Sequence, residues 1–262
     1  MKTFVYIDGF NLYYAIRNTG CKWLNIKKLA EAAMPAGTVI ERVKYYTARV
    51  SGAADPGQPM RQQVYFKALA TLPEVEVFFG NFLAKAQWRP LLNVPVADRH
   101  LNGGGDAVKL DEKTYTIGLD PVIAGSVPES LRVGKYGNNG GKKKPSALPD
   151  AVKVQVFGME EKGSDVNLAV HLVNDAWAKR FEAAVVISND TDLVEPIRIV
   201  SKELGLPVCL LSPPTRFGCA PKPLAAVSSS VRHINRSHLN TALFPDPLPL
   251  ADGTTLAKPV GW

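Results

Sequence analysis

The sequence predicts an α/β protein of three layers, helices on both faces of a central, mainly parallel sheet, interrupted by an irregular insertion. Two observations carry this. Short apolar runs rich in Val, Ile and aromatic residues (4–7, 75–79, 183–187, 208–211) alternate with segments of helical periodicity. No two-residue hairpin turn separates them, so each strand must return through a helix, which is the connection that parallel strands require.

The elements follow in order. Phe4 to Ile7 is a strand that stops at Asp8-Gly9-Phe10-Asn11, ahead of a helical stretch from Leu12 to Arg17. Asn25 is a cap for a second helix with Ile26, Leu29, Ala30 and Ala33 on one face. Val39 to Val50 is a long strand, Pro59 to Leu72 a helix, and Val75 to Phe79 a further strand. Beyond Gly80 the periodicity fails until about Pro149, through Gly103-Gly104-Gly105 and Gly137-Asn138-Asn139-Gly140-Gly141. Val152, Val154 and Val156 then alternate as a strand, and Val166, Ala169, Val170, Val173 and Trp177 mark the expected buried face of the next helix. Ala183 to Ile187 is a continuous apolar strand, Leu193, Ile197, Val200 and Leu204 form a helical stripe closed by Gly205, and Val208 to Leu211 is a last buried strand. The expected organisation is one domain over 1–212, with a Gly/Lys-rich insertion at about 80–149, and a Pro-rich C-terminal extension over 213–262.

Composition narrows the class. With 262 residues, 46% hydrophobic and 21% charged, the chain can bury a sizeable core, which excludes disorder as the main state. No apolar run reaches the ~18 residues of a membrane span, and the start lacks a secretory pattern, so no membrane partner and a cytoplasmic location are expected. Three cysteines, Cys21, Cys209 and Cys219, without a C-x-x-C spacing argue for reduced thiols. The 31 Lys and Arg against 24 Asp and Glu give +7, a balance that favours a polyanionic partner.

Acidic clusters fall at three strand ends: Asp8, Asp165 shortly after the Val152 to Phe157 strand, and Asp190 with Asp192 after Ile187. Open parallel sheets bind ligands outside the carboxyl ends of their strands. Carboxylates gathered there repel one another, and a hard divalent cation such as Mg2+ or Mn2+ would relieve the repulsion. The structural alternatives are helix capping by Asp192, through the box Asp192-Leu193-Val194-Glu195, and a dipole role for Asp165.

Three segments carry a family resemblance: Tyr6-Ile7-Asp8-Gly9-Phe10-Asn11-Leu12, Glu161-Lys162-Gly163-Ser164-Asp165-Val166-Asn167-Leu168-Ala169, and Ser188-Asn189-Asp190-Thr191-Asp192-Leu193. In order and placement they resemble the signatures of the NYN family of PIN-like (FLAP nuclease-like) ribonucleases, and the tail through Phe244-Pro245-Asp246 is similar to bacterial single-domain members. The resemblance implies a PIN-like, Rossmann-like fold and a metal-dependent endoribonuclease with Mg2+ or Mn2+ held by Asp8, Asp165, Asp190 and Asp192. Asp8, Asp165 and Asp190 would be the principal catalytic acids, supported by Asn11, Ser188 and Asn189.

The expected partner is RNA, single-stranded or structured, contacted by Lys162, Lys142, Lys143, Lys144, Arg132 and Lys135, with a homo-oligomer as a further option. An RNA-binding protein of weak or partner-dependent activity, and a related DNA nuclease or phosphatase, are the alternatives. The scattered histidines His100, His171, His233 and His238 argue against an acid-base ribonuclease, and Gly137 to Lys142 lacks the spacing of a phosphate loop, with Lys143 where Ser or Thr should follow. Tyr13, Tyr14 and Trp23 are expected mainly as packing residues.

Overall fold

The computed structural model describes residues 1–50, 52, 55–90, 116–117, 120–121, 135–139, 142–146, 153–215 and 218–262. Two compact units are present, one formed by 1–82 with 161–262 and the other by 83–160. In chain order the elements are β1 (Lys2–Asp8), α1 (Gly9–Ile16), α2 (Ile26–Ala33), β2 (Val39–Ala48), α3 (Gln58–Leu69) and β3 (Val75–Pro90). Short strands β4 (Thr116–Ile117), β5 (Asp120–Pro121), β6 (Lys135–Asn139) and β7 (Lys142–Ser146) pair as two antiparallel hairpins in the second unit. Then come β8 (Lys153–Lys162), α4 (Ser164–Trp177), β9 (Ala183–Ile187), α5 (Val194–Arg198), β10 (Val208–Ser212), α6 (Lys222–Val227), β11 (Ser230–His233), α7 (Arg236–Thr241), β12 (Leu248–Pro249) and β13 (Thr255–Leu256).

The main sheet has the order β11-β10-β9-β1-β2-β3-β8, and every pair from β11 to β3 is parallel. The three-layer α/β fold expected from the sequence is therefore present. Side chains alternate between two cores, as a sheet covered on both faces requires. Val5, Ile7, Val185, Ile187, Cys209 and Leu211 pack with α1, α2, α3 and α7, whereas Phe4, Tyr6, Val186 and Leu210 pack with α4, α5 and α6. All five residues of β9 are buried, which explains why that strand shows an unbroken apolar run.

The order of strands turns around β1. From β1 the chain moves outward through β2 and β3, and later returns to place β9 and β10 on the other side of β1. The seam between β1 and β9 is thus the switch point where open α/β sheets offer a crevice.

Several local readings change. α4 buries Leu168, Leu172, Asp175 and Ala176, while Val166 (58% exposed), Val170 (57%) and Trp177 (75%) face outward. The apolar stripe read from the sequence is the core face only in part, through Ala169 and Val173; the buried face also includes an aspartate, matched by a lysine on β2. Asp192 does not cap a helix. Asp190 does so, accepting a hydrogen bond from Asp192 N at 3.1 Å, and the turn from Thr191 to Leu193 leads into α5 and a π turn over Ile199–Glu203. Asn25 caps α2 as expected, accepting from Lys28 N at 2.9 Å.

After Pro213 the chain adds α6, the edge strand β11 and α7, then closes over the first core. Trp23 Nε1 donates to the Pro245 carbonyl at 3.0 Å, and the Trp23 ring packs on Phe244 and Tyr65. Trp23 is a core residue, Tyr13 is half-buried, and Tyr14 is exposed. The cysteines are free, Cys21 and Cys209 buried and Cys219 exposed. Among the described residues no helix is long and apolar enough to cross a membrane.

Candidate functional site

Three adjacent strands end in a polar residue at the same level. Register pairs Ile7 with Ile187 and Leu210 with Val186, so Asp8, Ser188 and Ser212 each stand just beyond the last apolar layer of β1, β9 and β10. The chain leaves the core at these positions, and the backbone groups released there need partners. Asp8 supplies one, its Oδ1 accepting from Asn11 N at 2.9 Å as the cap of α1. Its Oδ2 accepts from Ser188 Oγ at 2.9 Å, across the switch point. Ser188 Oγ in turn accepts from Asp190 N at 3.0 Å.

A second chain of bonds runs beside the first. Asn189 N donates to Asn11 Oδ1 at 3.0 Å, Asn189 Nδ2 donates to the Pro213 carbonyl at 3.0 Å, and Ser212 Oγ donates to Asn189 Oδ1 at 2.6 Å. Together the two chains fix the loops after β1, β9 and β10 against one another. The result is a connected polar cluster at the switch point, with the Asp8 carboxylate as one of its members.

Gly9 makes that geometry possible. A Cβ there would lie 2.6 Å from the Tyr46 carbonyl oxygen and 2.7–2.8 Å from the end of the Tyr45 ring, closer than real Cβ contacts. Only glycine lets the chain turn between Asp8 and the tyrosine pair. Tyr45 is buried, and its hydroxyl is pushed above the ordinary range first by burial and then by the Asp8 charge, so it stays a neutral phenol beside the carboxylate. Tyr45 and Ser212 are site residues that the sequence reading missed. A tyrosine on a strand carries no local signal of what its hydroxyl faces, and Ser212 stands at the border of the Pro-rich extension that begins at 213.

On the α4 side of the sheet lies a second polar cluster. Asp175 is fully buried and accepts from Tyr6 Oη at 2.7 Å, Lys44 Nζ at 2.6 Å and Arg180 Nη1 at 2.7 Å. Burial alone would raise the Asp175 carboxyl, but the bonds from Lys44, Tyr6 and Arg180 outweigh it and hold the group below the ordinary carboxylate range. One turn earlier on α4, His171 Nδ1 shares a 3.0 Å hydrogen bond with Tyr46 Oη and its ring stands edge-on to Phe78. Burial, then the Lys44 charge, lowers the His171 pKa, so the ring is neutral at pH 7.

The structure thus brings together Asp8, Asn11, Ser188, Asn189 and Asp190 from the residues expected at the site. Asp165 stands on the first turn of α4 with Oδ1 accepting from Val166 N at 2.8 Å, and Asp192 is exposed. Lys162 is exposed at the end of β8. Lys135 and Lys142, Lys143 and Lys144 lie in β6 and β7, whose side chains are outside the described residues, as is Arg132 altogether.

Comparison with known proteins changes the functional reading. No protein-family model matches the chain. Over an alignment of 284 positions, covering 100% of this chain and 75% of the relative, it is 24% identical to 6-hydroxy-3-succinoylpyridine 3-monooxygenase HspA of Pseudomonas putida. Among solved structures, a protein of unknown function from Vibrio parahaemolyticus superposes with a TM-score of 0.43 at 11% identity, over 90% of this chain and 93% of that one.

The expected metal-dependent endoribonuclease is corrected by this similarity, which points to an oxidoreductase and away from a hydrolase. The nuclease, DNA-nuclease and phosphatase readings fall together. The expected Mg2+ or Mn2+ falls with them. Among the described residues no group of three or more His, Cys, Asp or Glu side chains is placed to hold a metal ion. The physical reason is visible at each acid: Asp8 caps α1 and receives Ser188, Asp190 caps the turn before α5, and Asp165 turns to its own helix.

Proposed function

We propose that this chain is an oxidoreductase of the monooxygenase type that hydroxylates a small, already hydroxylated nitrogen heteroaromatic ring. The observation that carries the reading is the similarity to the hydroxypyridine monooxygenase along the whole chain. The crevice at the switch point supports it. A ring hydroxyl offered to Asp8 would donate to a carboxylate already fixed by Asn11 N and Ser188 Oγ. Moving that proton toward Asp8 raises electron density on the ring carbons ortho and para to the hydroxyl, the carbons that an electrophilic oxygen attacks. Tyr45 stands beside the carboxylate as a buried neutral phenol, and Asn11, Asn189 and Ser212 hold the neighbouring loops. The NYN-like order of the three acidic segments belongs to this reading as the scaffold that delivers those loops.

The balance of the reaction is one O2, two electrons and two protons consumed, one oxygen atom placed on the ring and one released as water. The turn after β1 does not fit a dinucleotide redox cofactor. It has a single glycine, Gly9, where the dinucleotide fingerprint has three, and the Asp8 carboxylate already sits at the helix N-terminus that a pyrophosphate would need.

The test is turnover of 6-hydroxy-3-succinoylpyridine under 18O2 with a two-electron reductant, reduced nicotinamide nucleotide and chemically reduced flavin being supplied in separate reactions. The expected product carries one 18O atom, and oxygen uptake requires both reductant and ring. Absence of reductant-dependent uptake across a panel of hydroxypyridines, or oxygen drawn from water, would overturn the reading.

A further inference from the structure

At the opposite end of the sheet, where the strands begin, a half-open cavity of about 330 Å3 lies beneath the turn that joins α2 to β2. Its floor is a row of small side chains on the α2 face: Thr3, Ala183, Val185, Cys209 and Ser230, contributed by β1, β9, β10 and β11. Its roof is Met34, Pro35 and the turn at Gly37. The space exists because α2 ends at Ala33, before it can cover these strands, and because none of the floor residues is long enough to fill the gap.

A charged side chain stands beside the cavity, outside its lining. Arg232 follows Ser230 by two residues on β11, so both point to the same face about 7 Å apart. One Arg232 nitrogen donates to the Ala33 carbonyl at 3.4 Å, beside Met34 of the roof. That leaves the other guanidinium donors free to grip a planar anion. The charge reaches the floor: burial raises the Cys209 thiol, and both the Ser230 hydroxyl and Arg232 act against that rise.

We infer that this cavity is a binding site for a small aromatic monocarboxylate, its ring on the floor between Val185, Cys209 and Ser230 and its carboxylate on Arg232. A volume of this size, a mostly apolar lining and a guanidinium just beyond its edge suit such a ligand, while the N-terminal amine of Met1, a lining residue, is paired with Glu182 at 3.9 Å. Asp8 and the crevice stand at the far ends of the same strands, so the site is separate from the proposed reaction.

Calorimetric titration with benzoate and with benzyl alcohol, a neutral molecule of similar size, tests it. We expect saturable one-to-one binding of benzoate to the parent protein, unchanged in Asp8→Asn, at least tenfold weaker in Arg232→Gln, and lost in Ser230→Phe, whose ring fills the cavity. Benzyl alcohol binding should be weak and indifferent to Arg232→Gln. Ser230 and Arg232 are both exposed on an edge strand, and thermal melts confirm that each variant is folded. Ser230→Phe should also retain the parental oxygenase rate. Lack of saturation up to about 10 mM benzoate, far weaker than a built site gives, overturns the proposal. So does parental affinity in either Ser230→Phe or Arg232→Gln, or loss of binding in Asp8→Asn.

Discussion

Replacing Asp175 with Asn keeps the shape of the side chain and removes its charge at a fully buried position. Asp175 is 0% exposed and Lys44 8%, and the pair is bonded at 2.6 Å. Breaking a buried pair strands the other charge, a cost of roughly 3 to 5 kcal/mol. The weakened bond from Tyr6 adds about 0.5 to 1.5 kcal/mol. Arg180 adds little, because its side chain is half exposed and screened. Domains of this kind hold a total stability of about 5 to 15 kcal/mol, so the loss should move the urea midpoint visibly.

The pH dependence has a definite sign. A carboxyl held below its unfolded value stabilises the fold above about pH 4 and loses that contribution as pH falls through its lower folded value. The parent should therefore weaken in acid below about pH 4, while Asp175→Asn should show a shallower slope there. The double replacement Lys44→Met with Asp175→Leu removes both charges and should recover most of the loss, since apolar packing can match a buried ion pair. Urea unfolding followed by circular dichroism at several pH values measures all three. A cost below about 1 kcal/mol for Asp175→Asn, or a double variant no more stable than the single one, would refute the argument.

Gly9→Ala should lower stability by about 1 to 3 kcal/mol through overpacking against the Tyr46 carbonyl and Tyr45, read as a fall in melting temperature. Asp8→Asn keeps the cap of α1 and should leave the melting temperature nearly unchanged while oxygenase turnover falls at least tenfold; Asp8→Ala should also cost about 0.5 to 2 kcal/mol of stability. The His171 ring should titrate below its ordinary value in proton NMR, and Tyr46→Phe, by removing the 3.0 Å partner, should move that midpoint. A midpoint at or above the ordinary value would contradict the enclosure described for it.

Parallel strands are easy to see in a sequence when both faces are buried. β9 and β10 are each five buried residues in a row, and β1 holds five between its two ends, which is why the sheet and its alternation with helices were legible. The edge strand β11 was not, because Ser230, Arg232 and His233 are exposed and give no apolar run. α4 misled for the opposite reason. Its outward face carries Val166, Val170 and Trp177, and its inward face carries an aspartate whose partner, Lys44, lies 131 positions away. Helical periodicity reports where apolar residues are, and a buried ion pair reverses the inference.

The same distinction explains why the acids at the strand ends were misread as metal ligands. A strand leaving the core must satisfy the amide groups of the next turn, and a short acidic side chain does this well. Asp8 and Asp190 both do so, bonding Asn11 N and Asp192 N. Acids at several strand ends are therefore what an α/β sheet of this kind requires structurally, whatever reaction it supports. What sets this crevice apart is the bond from Ser188 Oγ to the second oxygen of Asp8, which crosses the switch point and ties one capping carboxylate to the neighbouring loop. A carboxylate bonded at both oxygens is held in place, and in the proposed reaction it would orient a ring hydroxyl without moving.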